Sequence, residues 1–434
     1  MKRNFLILLL GLMTIATKAQ NTYFPPMTGS DWDTISPASL GWCEDKIDTL
    51  YGFLNQRETK AFIVLKDGKI ALEKYFGTFT QDSLWHWASA SKSFTAFLAG
   101  IAQQEGYFSI DDTTSDYLDT GWTACAPEKE EKITIRHQLT MTTGLDQGVP
   151  VEGCTIDTCL QYLTDAGTNW AYHNAPYYLI QKIIDTTTGN FNAYANAKIR
   201  SQIGMNGGFF SFGDGKINYS NARSMARFGL LVLNKGNWNS NQIMTDSVYF
   251  NQMVNASTSL NPFYGYLWWL NDMNPAIAPP VPLTQPFFPN APTDAIVALG
   301  KNGQLINIAP SQNLVFIRMG ELPTDLSNTP GSFNDSIWIK LNDIMCNTIS
   351  INYTSFDTFK MTVYPNPANS IISIKTNQKI ESIRIYNMTG NLVAIDQTPD
   401  QTQFTLPDTL TSGIYLLKID TESGIITRKI IIGK

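Results

Sequence analysis

The sequence carries little charge for its length, and this scarcity excludes whole classes of function. Only 16% of its 434 residues are charged, and 31 Lys and Arg are outweighed by 37 Asp and Glu, which gives a formal net charge of -6. A chain with this balance has no overall basic field, so nucleic acid is not an expected partner. The sequence has only three histidines, His86, His137 and His173, and its five cysteines include no C-x-x-C pair. We therefore expect no metal site and no other cofactor.

Long apolar segments are missing as well, except at the N-terminus. Residues 1–19 combine Lys2 and Arg3 with an apolar run over residues 5–16 and end on a small residue, Ala19. This pattern is typical of a signal peptide, and the apolar run is shorter than the ~20 residues that a membrane-spanning helix needs. We expect export with cleavage after Ala19; a membrane anchor is the alternative.

The composition that remains is that of a globular protein with more than one domain. Hydrophobic residues make up 43% of the chain and aromatic residues 12%, and the length fits two or three domains. The character changes near residue 352, where we place a linker over residues 351–362. Residues 363–434 contain short runs of alternating or β-branched residues between turn formers, which predicts a small all-β, immunoglobulin-like sandwich.

Residues 20–350 form the main domain, in which strand and helix patterns alternate. Residues 61–65 and 70–76 predict a hairpin with its turn at 66–69. Further strand patterns lie at 295–299, 304–308 and 314–319, and helical patterns lie at 92–104, 135–141, 177–187, 191–199, 222–234 and 336–347. We expect an α/β (α+β) fold in which an antiparallel sheet is flanked by helices and a mostly helical subdomain is inserted, with a ligand cleft between the two parts.

The first chemical motif stands where the long helix begins. Ser89 and Lys92 lie three residues apart, so a helix that starts near Ser89 places both side chains on one face. A serine hydroxyl becomes a good nucleophile only when a base takes its proton, and a lysine that has lost its own proton can do this. The N-terminus of the helix also presents backbone N–H groups that can stabilise an oxyanion.

The second motif is Tyr172-x-Asn174, which precedes another predicted helix. Residues i and i+2 of an extended loop point to the same side, so both side chains can face the cleft. We expect Tyr172 to exchange protons with Ser89 or the leaving group, and Asn174 to orient Lys92 and the substrate carbonyl. Two other Y-x-N sequences, at Tyr194 and Tyr219, are alternatives.

These motifs, together with a Gly-rich hairpin at residues 300–304, occur in the order found in serine β-lactamases and penicillin-binding proteins, and the chain resembles that superfamily. Residues 133–145, 226–231 and 264–269 resemble in particular class C β-lactamase-related esterases and 6-aminohexanoate-dimer hydrolases. The likeness covers most of residues 22–350 and implies a β-lactamase-like fold. An acidic residue in the E-x-x-L-N setting of class A enzymes is missing.

The tail carries a second resemblance. The sequence Tyr-Pro-Asn-Pro-Ala at 364–368, the strand patterns at 383–386 and 413–416 and the terminal run at 429–432 resemble the C-terminal sorting domain of the type IX secretion system. This implies a bacterium of the Bacteroidetes type, passage through the periplasm and delivery outside the cell or onto its surface, with the type IX machinery as a partner. An accessory or carbohydrate-contacting module is the alternative.

The third motif of the superfamily, K-T-G on the strand beside the site, has no direct counterpart. Matching residues 298–300 to it gives the second oxyanion N–H to Lys301, next to Gly300, and we prefer this alignment. Matching residues 301–303, up to Gly303, instead places the Lys301 side chain where it could contact a substrate carboxylate. In both alignments Lys301 lies at the site, and the missing Thr or Ser argues against useful β-lactam turnover.

The remaining histidines, tryptophans and cysteines receive structural interpretations. His137 is expected to be packed and His173 to point away from the pocket, so a Ser-His-Asp triad is disfavoured, and the chain contains no G-x-S-x-G sequence. An aromatic acyl pocket and ordinary core packing are equally compatible with the five tryptophans Trp85, Trp87, Trp170, Trp268 and Trp269. Export permits disulfides, for which the candidate pairs are Cys154 with Cys159 and Cys43 with Cys346.

The sequence thus predicts an exported serine hydrolase that forms an acyl-enzyme on Ser89 and hydrolyses a small-molecule ester or amide. The alternative is a penicillin-recognising or DD-peptidase-like protein, or a β-lactamase, with slow turnover. A catalytically silent surface adhesin is disfavoured because Ser89, Lys92 and Tyr172 are all present.

Overall fold

The structure is a computed structural model that describes residues 22–148, 153–271, 286–322, 330–346, 362–376, 379–387, 392–396, 403–421 and 424–433. The predicted signal peptide and nearly all of the predicted linker lie outside these residues. The chain divides into two compact units, Met1–Asn347 and Thr348–Lys434. In the described part of the chain, no helix combines the length and the apolar character needed to cross a membrane.

The first unit contains eleven of the described strands and eleven described α-helices. Its strands are β1 Thr59–Lys66, β2 Lys69–Tyr75, β3 Trp85–His86, β4 Gly208–Phe212, β5 Gly215–Ser220, β6 Asn237–Trp238, β7 Asn241–Gln242, β8 Trp269–Leu270, β9 Ile296–Gly300, β10 Gln304–Ala309 and β11 Leu314–Gly320. Its helices are α1 Ile47–Gln56, α2 Ser91–Gln104, α3 Ser115–Leu118, α4 Pro127–Glu130, α5 Ile135–Leu139, α6 Asn174–Thr188, α7 Phe191–Ala195, α8 Ser201–Ile203, α9 Ala222–Leu233, α10 Ser247–Met253 and α11 Pro330–Ile344.

A six-stranded antiparallel sheet in the order β2-β1-β11-β10-β9-β8 forms the centre of this unit. The two faces of the sheet are both buried, because successive side chains of a strand point to opposite sides. Ile63 contributes to the core that includes α2 and α9, whereas the adjacent Phe62 and Val64 pack with residues of α1 and α11. The sheet is therefore covered by helices on each face, as the sequence predicted.

Helix α2 is the central element, since every residue from Ser91 to Ala102 is buried. Helices α6 and α10 and strand β9 pack around it, and its Ser91 and Phe94 contact Asn218 and Phe209 of a small sheet in the order β3-β5-β4. The β4–β5 hairpin was not predicted, although Gly213-Asp214-Gly215 is a turn sequence that follows a run rich in phenylalanine. The last helix begins at Pro330, earlier than the predicted residue 336, because proline is well tolerated in the first turn of a helix.

Two disulfides are present in the first unit. Cys43 and Cys346 are joined with a Cα–Cα distance of 5.6 Å, beside a 2.7 Å hydrogen bond that the Cys43 backbone N–H donates to the Ile344 carbonyl. Cys154 and Cys159 are joined with a Cα–Cα distance of 5.9 Å. Cys125 is a free thiol.

The second unit is built from strands in two sheets. Its strands are β12 Thr362–Tyr364, β13 Ile371–Lys375, β14 Ile380–Tyr386, β15 Leu392–Asp396, β16 Gln403–Thr405, β17 Gly413–Thr421 and β18 Gly424–Ile432. One sheet has the order β12-β13-β16 and the other β15-β14-β17-β18. Alternate residues such as Ile372, Ile374, Ile383, Ile385 and Leu417 share one core between the sheets, which confirms the prediction of a small all-β domain.

Candidate active site

The backbone around Ser89 is fixed from both sides. Ser89 lies in a 3-10 turn, Ala88–Ala90, that runs directly into α2. Before it, the Trp87 backbone N–H donates to the Asn218 carbonyl at 2.8 Å, and the Trp87 indole N–H donates to Ser220 Oγ at 2.8 Å. Ala88 has a φ of 46°, a left-handed conformation that costs energy for a residue with a side chain. Strand β5 therefore holds a strained turn at the serine.

Lys92 connects the two motifs. Its Nζ donates to Ser89 Oγ at 3.1 Å and to Asn174 Oδ1 at 2.6 Å. The side chain is buried, and its Nζ lies 4.9 Å from the ring centroid of Tyr172 and 4.8 Å from that of Tyr177. All of these partners are uncharged, so a positive charge on Lys92 would have dipoles and π-faces around it and, among the described residues, no paired carboxylate.

The three Y-x-N sequences lie in different environments. Tyr194 is remote from Ser89, because its hydroxyl donates at 2.8 Å to Glu105 at the far end of α2. Tyr219 lines the same cavity as Ser89, but the partner in its motif, Asn221, caps helix α9 through the Ser224 N–H. Only in Tyr172-x-Asn174 do both members contact Lys92.

The strand edge opposite Ser89 is formed by β9. A Cβ at Gly300 would collide with the Trp87 carbonyl and would lie 3.2 Å from the Ala90 backbone nitrogen, so β9 packs directly on the serine turn and only glycine fits there. A Cβ at Gly303 would instead meet the Phe333 ring at 2.9 Å. Lys301 is exposed and, with Asn302, lines the cavity. Gly300 thus lies against the serine turn, and Gly303 packs against α11.

A cavity of about 410 Å³ opens at Ser89, within the usual size range of small-molecule sites. Its lining residues come from β3, the serine turn, α2, α6, the β4–β5 hairpin and the turn after β9. They are His86, Ala88, Ser89, Lys92, Asn174, Tyr177, Tyr178, Phe212, Ile217, Tyr219, Lys301 and Asn302. No tryptophan is among these lining residues, and Trp87 and Trp268 are fully buried in the core.

Burial disfavours the charged form of the two histidines near the site. Burial lowers the pKa of His86, against the opposing effect of Glu321. Burial also lowers the pKa of His173 to about 4; Asp146 opposes this shift and Lys92 adds to it. His173 is not among the residues that line the cavity, and within the described part of the chain neither of its ring nitrogens has a hydrogen-bond partner. Over the described ranges, no group of three or more His, Cys, Asp or Glu side chains could hold a metal ion.

Sequence reasoning missed the hairpin side of the cavity. Phe212, Ile217 and Tyr178 line it but carry no chemical motif, and the only sequence signal was the turn at residues 213–215. Tyr177 was also missed; its hydroxyl donates to the Lys216 carbonyl at 2.7 Å, which leaves its ring face beside Lys92.

Comparison with known proteins identifies the main unit. Residues 52–323 match the family model described as Beta-lactamase, which covers more than half of the chain. The chain belongs to the beta-lactamase family. In addition, residues 362–433 match the model described as Secretion system C-terminal sorting domain, a finding that indicates secretion or display at the cell surface. Both predicted resemblances are confirmed.

An uncharacterized protein of Alkalihalophilus pseudofirmus is 25% identical over 293 residues, which is 59% of this chain and 81% of the relative. A putative 6-aminohexanoate-dimer hydrolase from Bacillus anthracis has 20% identity and a TM-score of 0.55 over 74% of this chain and 89% of its own. A putative beta-lactamase from Bacteroides dorei has 17% identity and a TM-score of 0.57, and the match covers 70% of this chain and 99% of that protein. EstCE1, a hydrolase with promiscuous acyltransferase activity, has 12% identity and a TM-score of 0.54, and the match covers 70% of this chain and 99% of that protein. These structures share the fold.

Proposed function

We propose that this beta-lactamase-family protein is an exported serine hydrolase that forms an acyl-enzyme on Ser89 and hydrolyses an ester or a small amide. The observation that carries the proposal is the 3.1 Å contact between Lys92 Nζ and Ser89 Oγ, two residues that line one cavity. Asn174, which also lines it, fixes the lysine from the other side at 2.6 Å.

In the proposed mechanism Lys92, in its neutral form, takes the proton of Ser89 as Oγ attacks the substrate carbonyl carbon. The backbone N–H groups of Ser89 and Lys301 donate to the oxyanion, which is supported by the close packing of Gly300 on the serine turn. Tyr172, beside Lys92, passes a proton to the leaving group. A water molecule then attacks the carbonyl carbon of the acyl-enzyme and gives a proton to Lys92. Lys92 and Tyr172 pass a proton to Ser89 Oγ as its bond to the carbonyl carbon breaks, which releases the acid.

An ester or small amide is favoured over a β-lactam because β9 carries Ala298-Leu299-Gly300 where β-lactam-active members carry K-T-G. The exposed Lys301 side chain at the cavity supports a second candidate, a penicillin-recognising or DD-peptidase-like protein with slow turnover, because an ammonium group there could bind a substrate carboxylate.

The proposal is tested by incubating the purified protein with a fluorophosphonate probe and with p-nitrophenyl esters, amino-acid amides and nitrocefin. We expect covalent labelling and ester or amide turnover in the wild type and neither in Ser89→Ala. Ser91→Ala is the matched control: Ser91 Oγ accepts a hydrogen bond from the Asn218 N–H at 2.9 Å, so this variant should lose stability but keep labelling. Labelling that disappears only in Ser91→Ala would refute Ser89 as the nucleophile, and acylation by nitrocefin alone would favour the second candidate.

We also propose that export uses a signal peptide, residues 1–19, followed by the type IX machinery acting on the tail. The match of residues 362–433 to a sorting domain supports the second step. Edman sequencing of the secreted protein tests the first, and an N-terminus at Gln20 is expected.

A further inference from the structure

The β4–β5 hairpin presents an unusual face to the cavity. In its antiparallel register Gly208 pairs with Tyr219, Phe210 with Ile217 and Phe212 with Gly215. Paired residues project to the same side of a hairpin, so Phe210, Phe212, Ile217 and Tyr219 share one face. The opposite face carries Phe209 and Asn218, which are buried in the domain. One face of the hairpin therefore packs in the core of the domain, and the opposite face is also apolar.

This second face is open at one end and reaches Ser89 at the other. Phe210 is 55% exposed and Phe212 is 59% exposed, whereas Phe212, Ile217 and Tyr219 line the cavity of Ser89. A contiguous apolar patch on the solvent face of a hairpin, as opposed to single exposed apolar residues, is typical of a binding surface. The apolar face is therefore continuous with the cavity and offers a ligand there an apolar surface that leads toward solvent.

The hairpin is fixed in place by contacts on two sides. The Lys216 backbone is bound to α6, since its carbonyl accepts from Gln181 Nε2 at 2.9 Å and its N–H donates to Gln181 Oε1 at 2.9 Å. At the tip, Asp214 Oδ2 accepts from the Thr155 N–H at 2.7 Å, and Thr155 lies in the loop closed by the Cys154–Cys159 disulfide.

Tyr178 lies between these two segments. A Cβ at Gly215 would overlap the Tyr178 ring, and a Cβ at Gly153 would lie 2.7 Å from Tyr178 Cε2. Both the hairpin and the disulfide loop thus pack on the ring as closely as glycine allows. The contacts produce a preorganised wall rather than a loose loop, which is what a specificity surface requires.

We propose that this face of the hairpin is the acyl-binding surface of the enzyme and that the substrate carries an extended apolar acyl chain, alkyl or aromatic. The proposal rests on the function proposed above. The leaving group has to lie close to Lys92 or Tyr172 in order to receive a proton. The Tyr172 ring stacks on Trp269 with centroids 6.0 Å apart, and neither of these two residues is on the hairpin or among the residues that line the cavity. The acyl group, on the other side of the reacting carbon, lies along Phe212 and Ile217, and its far end reaches Phe210.

The test uses p-nitrophenyl acetate, butyrate and octanoate, which share one leaving group and differ only in acyl length. We expect kcat/KM to rise with acyl length in the wild type, and the octanoate-to-acetate ratio to fall about tenfold or more in Phe212→Ala. Phe212→Leu, which keeps an apolar side chain, should restore part of the ratio. Val248→Ala removes a side chain of 65% exposure on α10 and should leave the ratio as in the wild type.

A second pair of variants tests the positioning of the hairpin. Asp214→Ala removes the acceptor for Thr155, and we expect a higher KM for octanoate with an unchanged kcat. Asp214→Asn keeps an oxygen acceptor and should restore the KM. A general loss of fold would instead reduce turnover of every ester and would not be rescued.

The outcomes separate the two proposals. If acetate and octanoate are turned over equally well and Phe212→Ala changes neither, the serine hydrolase stands and the acyl surface is wrong. If chain length matters only when it is varied in the alcohol, as in hexyl and octyl acetate, the surface binds the leaving group and the proposal is also overturned. If the wild type turns over no ester or amide and the fluorophosphonate does not label Ser89, both proposals fail.

Discussion

At the scale of single residues, the environment of Lys92 determines what the serine can do. The side chain contacts Ser89, Asn174 and two tyrosine rings, and no carboxylate is among these contacts. In Lys92→Arg the guanidinium stays protonated and cannot accept the proton of Ser89. We expect the rate of acylation, measured by fluorophosphonate labelling, to fall by about 10² or more, as far as in Lys92→Ala. Near-normal labelling of Lys92→Arg would rule out Lys92 as the base.

The choice between Tyr172 and Tyr219 is a second question at this scale. Tyr172 contacts Lys92, whereas Tyr219 is on the cavity wall beside His86, with ring centroids 6.0 Å apart. If Tyr172 transfers a proton, Tyr172→Phe should lower kcat by about 10² or more, and Tyr219→Phe should act mainly on KM. Steady-state kinetics on one p-nitrophenyl ester compares the two. A large loss of kcat in Tyr219→Phe with normal turnover in Tyr172→Phe would reverse the assignment.

Protonation of His173, which lies between Tyr172 and Asn174, is expected to make the stability of the protein depend on pH. Its pKa is lowered to about 4 in the folded chain, mainly by burial, and returns to the ordinary value near 6.5 on unfolding. The unfolded chain therefore binds more protons between these values, and stability present above pH 6.5 is lost as the pH falls toward 4. Between pH 7.5 and pH 5, the free energy of unfolding measured with urea should fall by about 2 kcal/mol more in the wild type than in His173→Gln. Equal losses in the two proteins would contradict this.

The residues of the site differ in how far the sequence could predict them. Ser89, Lys92, Tyr172 and Asn174 were proposed because their chemistry depends on residue type and spacing, which the sequence displays. Phe212 and Ile217 could not be found in this way, because an apolar side chain has the same sequence signature in a core and in a binding wall.

At the scale of elements, the turn after β9 depends on one buried arginine. Arg318 on β11 has no solvent exposure and donates to the carbonyls of Asn302 at 2.6 Å and Gly303 at 3.2 Å. It also donates to the Arg57 carbonyl at 2.6 Å and to Thr59 Oγ1 at 3.0 Å. The side chain thereby connects the turn that carries Lys301 to the start of β1.

Arg318→Met should therefore lower both stability and activity. Leaving several buried carbonyls without a donor costs about 3 kcal/mol or more, and a displaced turn should reduce kcat/KM at a temperature where the variant is still folded. Arg227→Met is the matched control, because Arg227 is also buried and binds the Ile203 carbonyl at 2.8 Å, away from the turn. Thermal unfolding and ester kinetics on both variants should show lost stability in each and lost kcat/KM only in Arg318→Met.

Elements were predictable where their pattern is local. The β1–β2 hairpin, α2 and the strands β9 to β11 were found at nearly their observed bounds, because each has a clear period or turn. Strands β3 and β8 have only two residues each and exist through pairing with β5 and β9. No local pattern encodes such pairing, since it depends on residues far away in the sequence.

At the scale of the whole molecule, the chain combines two units with separate cores. The proposed catalytic residues all lie in the first unit, Met1–Asn347, and the sorting-domain match lies in the second, Thr348–Lys434. The described residues that line the cavity all belong to the first unit. We therefore expect that hydrolase activity does not require the second unit and that sorting does.

A chain truncated near residue 352, in the segment outside the described residues, tests this separation. We expect the purified truncated protein to label with the fluorophosphonate and to turn over esters as the full chain does, because the Cys43–Cys346 disulfide and the whole of α11 are kept. In the native host the truncated protein should accumulate in the periplasm, whereas the full chain appears outside the outer membrane. Fractionation with a fluorophosphonate readout measures both properties at once. Active truncated protein outside the cell would show that residues 362–433 are not required for sorting, and an inactive, folded truncation would show that the second unit contributes to the site.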